Sequence, residues 1–97
     1  MTRLISTLAL CALIPFAASA ATEEAWDQFR ADVQTACAAL APEDGQILVE
    51  VNPFGSEKYG AAIVYQQTDA GLDRYVCIYD KQAQTAEITL AFPAAGN

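Results

Sequence analysis

The chain contains no histidine, and beyond its first twenty residues Ser56 is its only serine. Triads of the Ser-His-Asp and Cys-His kinds therefore cannot be assembled. Zinc and copper lose their usual imidazole ligand. Basic residues are also scarce, five Lys and Arg against twelve Asp and Glu for a net charge of −7. Phosphate backbones and anionic lipid are bound by clustered cations that displace counterions, so this balance argues against nucleic acid and membrane-surface partners. The five glycines form no phosphate cradle, and no cofactor is expected. No repeat or low-complexity segment is present.

What is present begins with an export signal. Arg3 supplies a short positive start, Leu4 to Ala18 form an apolar run broken by Pro15, and Ala18-Ser19-Ala20 is the small-residue pattern read by signal peptidase. A retained anchor needs roughly 18 uninterrupted apolar residues, which this run does not reach. Cys11 follows Leu10, where a lipoprotein signal carries a small side chain, so soluble export to a periplasmic or extracellular location is favoured over lipidation. Residues 1–20 are thus expected to be removed, leaving residues 21–97 as one small domain. Its basic residues are Arg30, Lys58, Arg74 and Lys81, for a net charge of −8.

A domain of this size buries only about 60% of its unfolded surface and benefits from a covalent staple. Cys37 and Cys77 are an even number in an oxidising compartment and are expected to form one disulfide. Their spacing is far from Cys-x-x-Cys, and no histidine activates either thiol, which favours a structural bond over a redox pair.

Thr22 can cap a helix opening with Glu23 and Glu24, where the helix dipole favours negative charge. Trp26, Phe29, Val33, Cys37 and Leu40 recur at intervals of three and four and predict one buried stripe, ended by Pro42. From Gln46 onward the period becomes that of extended chain. Strands are predicted over 46–51, 59–67, 74–79 and 85–92, joined by short links rich in turn formers. Short links favour antiparallel hairpins, and the expected architecture is α+β: one N-terminal amphipathic helix on a four-stranded antiparallel meander, stapled by one disulfide.

The staple also assigns faces. If Cys77 reaches Cys37, Tyr75 and Tyr79 share the helix-covered side, while Val76 and Ile78 point the other way. Leu48, and either Ile63 or Val64 depending on register, should join them beside Glu50, Glu87 and Thr89. An apolar patch left bare marks a partner or dimer surface, unless the tail Phe92-Pro93-Ala94 or a long loop folds over it. Phe54, an aromatic in a Pro-Phe-Gly turn, is a second contact candidate, either as a binding knob or folded back against the sheet edge. Trp26 and the four tyrosines are expected in the core and at its rim. Glu43, Asp44, Asp69 and Asp73 fall in predicted loops where a carboxylate pair could meet, although so small a two-layer domain offers no deep cleft. Asp69 and Asp73 lack the dense oxygen spacing of a calcium loop.

The order of helix, strand, longer hairpin and a strand ending Tyr75-Val76-Cys77-Ile78-Tyr79-Asp80, followed by a turn and Ala86-Glu87-Ile88, resembles the PepSY domains over roughly Ile47 to Leu90. Those domains place a Thr-Gly pair after the aspartate, where this chain has Lys81-Gln82-Ala83-Gln84-Thr85, and the cysteine pair is outside their pattern. The resemblance implies a non-catalytic module that binds or restrains other envelope proteins. The expectation from the sequence is a small exported binding or modulator protein, not an enzyme, with Phe54, Leu48, Val76 and Ile78 as candidate protein-binding residues. Its rivals are a self-associating structural protein that forms a homodimer and a carboxylate-dependent hydrolase.

Overall fold

The structure, a computed structural model, describes residues 21–93. The predicted signal segment with Cys11, and the tail from Ala94, lie outside the described residues. Helix α1 spans Glu23–Leu40, and strands β1 (Gln46–Val51), β2 (Tyr59–Thr68), β3 (Gly71–Asp80) and β4 (Thr85–Ile88) follow. They form one antiparallel sheet in the order β1-β2-β3-β4. The predicted α+β meander is the observed fold.

The helix starts where its residues dictate. Thr22 is extended, its Oγ1 accepts from the Ala25 N–H at 3.0 Å, and Glu23 and Glu24 occupy the first turn. Ala41, just before Pro42, has already left the helical region at ψ 153°. Val33 and Cys37 are fully buried, and the Cys37–Cys77 disulfide joins the helix to β3. The stripe does not run as far as expected. Leu40, in the last turn of α1, is 40% exposed, and Ala36 and Ala41 pack against the core.

Four of the strand boundaries differ from the expected ones: the end of β2, both ends of β3 and the end of β4. The expected four-residue link Asp69 to Leu72 is a two-residue turn, with Thr68 paired to Gly71 and Leu72 to Gln67. Gly71 sustains this at φ 133°, a conformation L side chains rarely adopt. Asp73 therefore lies in β3 and not in a loop. β4 stops at Ile88 because the next position interrupts the ladder. The Thr89 N–H donates to the Val76 carbonyl, but Val76 N–H donates to the Thr89 hydroxyl oxygen and not to a backbone carbonyl. The chain rejoins the edge of β3 at Phe92, whose N–H donates to the Arg74 carbonyl, with one residue more than a regular ladder holds.

The core lies between helix and sheet. Val33, Cys37, Ala62, Val64, Cys77 and Tyr79 form its buried centre, with Phe29, Ile47, Val49, Val51, Tyr75 and Ile88 packed around them. Gly60 permits the close approach: a Cβ there would lie 2.8 Å from Phe29 Cζ and 2.9 Å from Val33 Cγ2. Gln66 is the one buried polar side chain among the described residues. Its Nε2 donates to the Asp44 carbonyl and carboxylate, and its Oε1 accepts from the Tyr75 hydroxyl at 2.7 Å. Pairing at both ends offsets its desolvation.

Candidate functional site

The face of the sheet turned away from α1 carries three cross-strand rows, Leu48–Tyr65–Arg74, Glu50–Ile63–Val76 and Ala61–Ile78–Glu87. Alternation places them there once Cys77 is turned to the helix, and the register selects Ile63, with Val64 buried on the opposite side. Leu48, Val76 and Ile78 thus share one surface, as the sequence implied. No element of the described chain covers it. Leu48 is 64% exposed, Ile63 38% and Ile78 37%.

Of the expected alternative, a tail Phe92-Pro93-Ala94 folded across this face, Ala94 lies outside the described residues and Phe92 reaches one corner. The Phe92 ring sits 5.5 Å from the Arg74 guanidinium, capping that cation and leaving the apolar centre open. Two shallow depressions flank the centre. One, of about 470 Å³, is lined by Leu48, Tyr65 and Leu72, and the other, of about 490 Å³, by Tyr59, Ala61 and Ile78. Both are open to solvent along the sheet surface. Tyr65 donates to the Glu50 carboxylate at 2.7 Å, and that hydrogen bond, with partial desolvation, raises its pKa above the ordinary value.

Two tyrosines do not fit the expected core and rim positions. Tyr59 is 46% exposed and Tyr65 lies on the open face, because both occupy strand positions of the parity opposite to the core. Tyr79 is buried beneath the helix, and Tyr75 is half-buried at its rim.

Phe54 is placed on the other side of the molecule. Its ring stands edge-on to Trp26 at 4.8 Å and under the Arg30 guanidinium at 5.6 Å, both on α1. It folds back against the helix and not against the sheet edge, and remains 54% exposed. The local turn imposes this: Asn52 Oδ1 accepts from the Phe54 and Gly55 N–H groups, and Gly55 has φ 69°. The structure therefore does not bring Phe54 together with Leu48, Val76 and Ile78.

Residues 52–58 are further held by Lys81, which the sequence reading did not single out. Its Nζ donates to the carbonyls of Phe54 at 3.0 Å and Ser56 at 2.7 Å and lies 5.4 Å and 4.8 Å from the ring centres of Trp26 and Phe29. An aromatic pair three residues apart and a lone lysine in a distant turn carry no local signal of this meeting.

Among the described residues no three His, Cys, Asp or Glu side chains are grouped to hold a metal ion. The Asp44 carboxylate accepts from Gln66. No helix among the described residues is long and apolar enough to cross a membrane. In comparisons with known proteins, no family model, curated protein or solved structure matches the chain.

Proposed function

We propose that this chain is an exported, non-catalytic binding protein that captures another envelope or extracellular protein on the open face of its sheet. The observation that carries the reading is the uncovered apolar centre Leu48, Ile63, Val76 and Ile78, presented on one surface while α1 shields the other. Apolar side chains gathered on a shallow, rigid surface are suited to a protein partner, whereas a small molecule needs an enclosing cleft. The signal-like N-terminus and the disulfide support export. The resemblance to PepSY modules supports binding over catalysis.

The test is affinity capture from envelope extract with the oxidised protein, run beside a Leu48→Ser, Val76→Thr, Ile78→Thr variant and a separate Phe54→Ser variant. The face variant loses the retained partner, and the Phe54 variant keeps it. Capture that survives the face variant overturns the reading. Sedimentation of the free protein separates the rival, because a stable homodimer dissociated by the face variant assigns this surface to self-association.

A further inference from the structure

The open edge of β1 is a second surface, and its chemistry differs from that of the sheet face. The Asn52 N–H donates to the Ala61 carbonyl at 2.8 Å, one step beyond the Val51–Ala62 pair. In an antiparallel ladder the two main-chain groups of a residue point the same way and successive residues alternate. Gln46, Leu48 and Glu50 therefore turn their N–H and C=O toward β2, and Ile47, Val49 and Val51 turn theirs outward. No other strand of the described chain pairs with them.

Proteins usually blunt such an edge with brevity, a bulge, proline or lysine. At the opposite edge β4 is four residues long, and the chain that follows carries the irregularity at Thr89. β1 has no bulge, proline or lysine across Gln-Ile-Leu-Val-Glu-Val, and Glu50 is its one charge.

Grooves flank this edge on both faces. On the helix side a groove of about 690 Å³ is lined by Ala38, Ala41, Pro42, Ile47 and Val49. On the other side lies the depression of about 470 Å³ at Leu48, Glu50, Tyr65 and Leu72. An added strand would set alternate side chains into one groove and then the other, the arrangement by which strand addition gains specificity.

Charge selects the occupant. Neither groove is lined by a lysine or arginine, Glu50 stands in the middle of β1, and Glu43 and Asp44 precede it. A second copy would bring another Glu50 and, over residues 21–97, another net charge of −8 to the seam. We infer that the β1 edge binds an extended segment of a partner protein by strand addition, with apolar residues toward α1 and lysine or arginine opposite Glu50. Leu48 borders both this edge and the open face, whereas Val76 and Ile78 belong to the open face alone and so separate the two readings.

The test uses the synthetic peptide Lys-Val-Lys-Val-Lys-Val-Lys against the oxidised protein, followed by calorimetry. Binding is expected, tighter by at least about tenfold than that of the peptide with glutamate in place of lysine, and weakened as salt rises from about 50 to 300 mM. In a strand added antiparallel to β1 the valine amides face it, so their N-methylation abolishes binding, whereas N-methylation of the lysine amides is tolerated. Val49→Pro, which removes only an outward N–H, also abolishes it. If that variant fails to fold, the two methylated peptides decide the matter with the unaltered protein. The Val76→Thr, Ile78→Thr variant retains peptide affinity, so failure of one surface is distinguishable from failure of the other. Absence of binding, equal binding of both methylated peptides, or a free-protein dimer that Val49→Pro dissociates overturns the inference, the last by assigning the edge to a second copy.

Discussion

The Lys81 ammonium lies 4.8 Å from the centre of the Phe29 ring, between the helix and the loop that carries Phe54. One cation thereby ties together three segments distant in sequence: the first turns of α1, residues 52–58, and the turn after β3. Its two hydrogen bonds go to carbonyls and two aromatic rings stand beside it, so it is a structural latch.

Lys81→Met keeps the apolar stem and removes the charge. A loss of about 1–3 kcal/mol is expected, the range for charged hydrogen bonds and a cation on aromatic faces. Urea denaturation followed by Trp26 fluorescence measures it, and limited proteolysis should then cut within 52–58 before any other segment. Unchanged stability with an uncut loop would show the latch to be inert.

The disulfide closes a separation of 40 residues and is fully buried at both cysteines. The chain-entropy account gives a contribution on the order of 4 kcal/mol for such a loop. Cys37→Ala with Cys77→Ala should therefore cost about 2–5 kcal/mol, a large share of a small domain's stability. Burial adds a kinetic expectation: in native buffer a mild reductant leaves the bond intact, and cleavage follows added denaturant. Thiol trapping with mass analysis reads both, and rapid native reduction would contradict the buried placement.

Gly60→Ala probes the helix-sheet spacing. The new methyl meets Phe29 and Val33 at under 3.0 Å, so the helix must shift or the rings must turn. Overpacking of this kind costs about 1–3 kcal/mol. Ala61→Ser, one residue along on the open face, should change the denaturation midpoint little, and a comparable loss there would argue against the assigned faces.

These contacts also show how far local pattern reaches. Thr22, the Trp26-to-Cys37 stripe and Pro42 predicted α1 because capping, periodicity and proline act within a few residues. Cys37 and Cys77 then assigned both faces of β3, since alternation propagates from one anchored residue. The Ile63 or Val64 ambiguity was settled only by the β2–β3 register, a long-range property. Gln66 looked like one more polar strand residue, and its partners Asp44 and Tyr75 come from two other parts of the chain. Lys81 and the displaced Phe54 belong to the same class, in which at least one deciding neighbour lies more than twenty residues away.

Alkaline pH separates the buried tyrosine from the one on the open face of the sheet. Burial, and then the negative charge of Asp32, raise the Tyr79 pKa, while the hydrogen bond to Glu50 leads the rise at Tyr65. In both, the folded protein favours the protonated phenol, so the unfolded chain releases its proton first as pH climbs. The corresponding stability is fully present below about pH 10, the ordinary tyrosine value, and is lost as pH rises through the higher folded values. Urea midpoints should therefore show no slope from these groups between about pH 7 and 9 and should fall toward pH 11. Absorbance of ionised phenol will show the two raised groups titrating late, and Tyr79→Phe removes one of them. Glu50→Gln should return Tyr65 toward its ordinary value without moving Tyr79. A Tyr65 titration indifferent to that change would mean that the Tyr65–Glu50 bond on the open face does not form in solution.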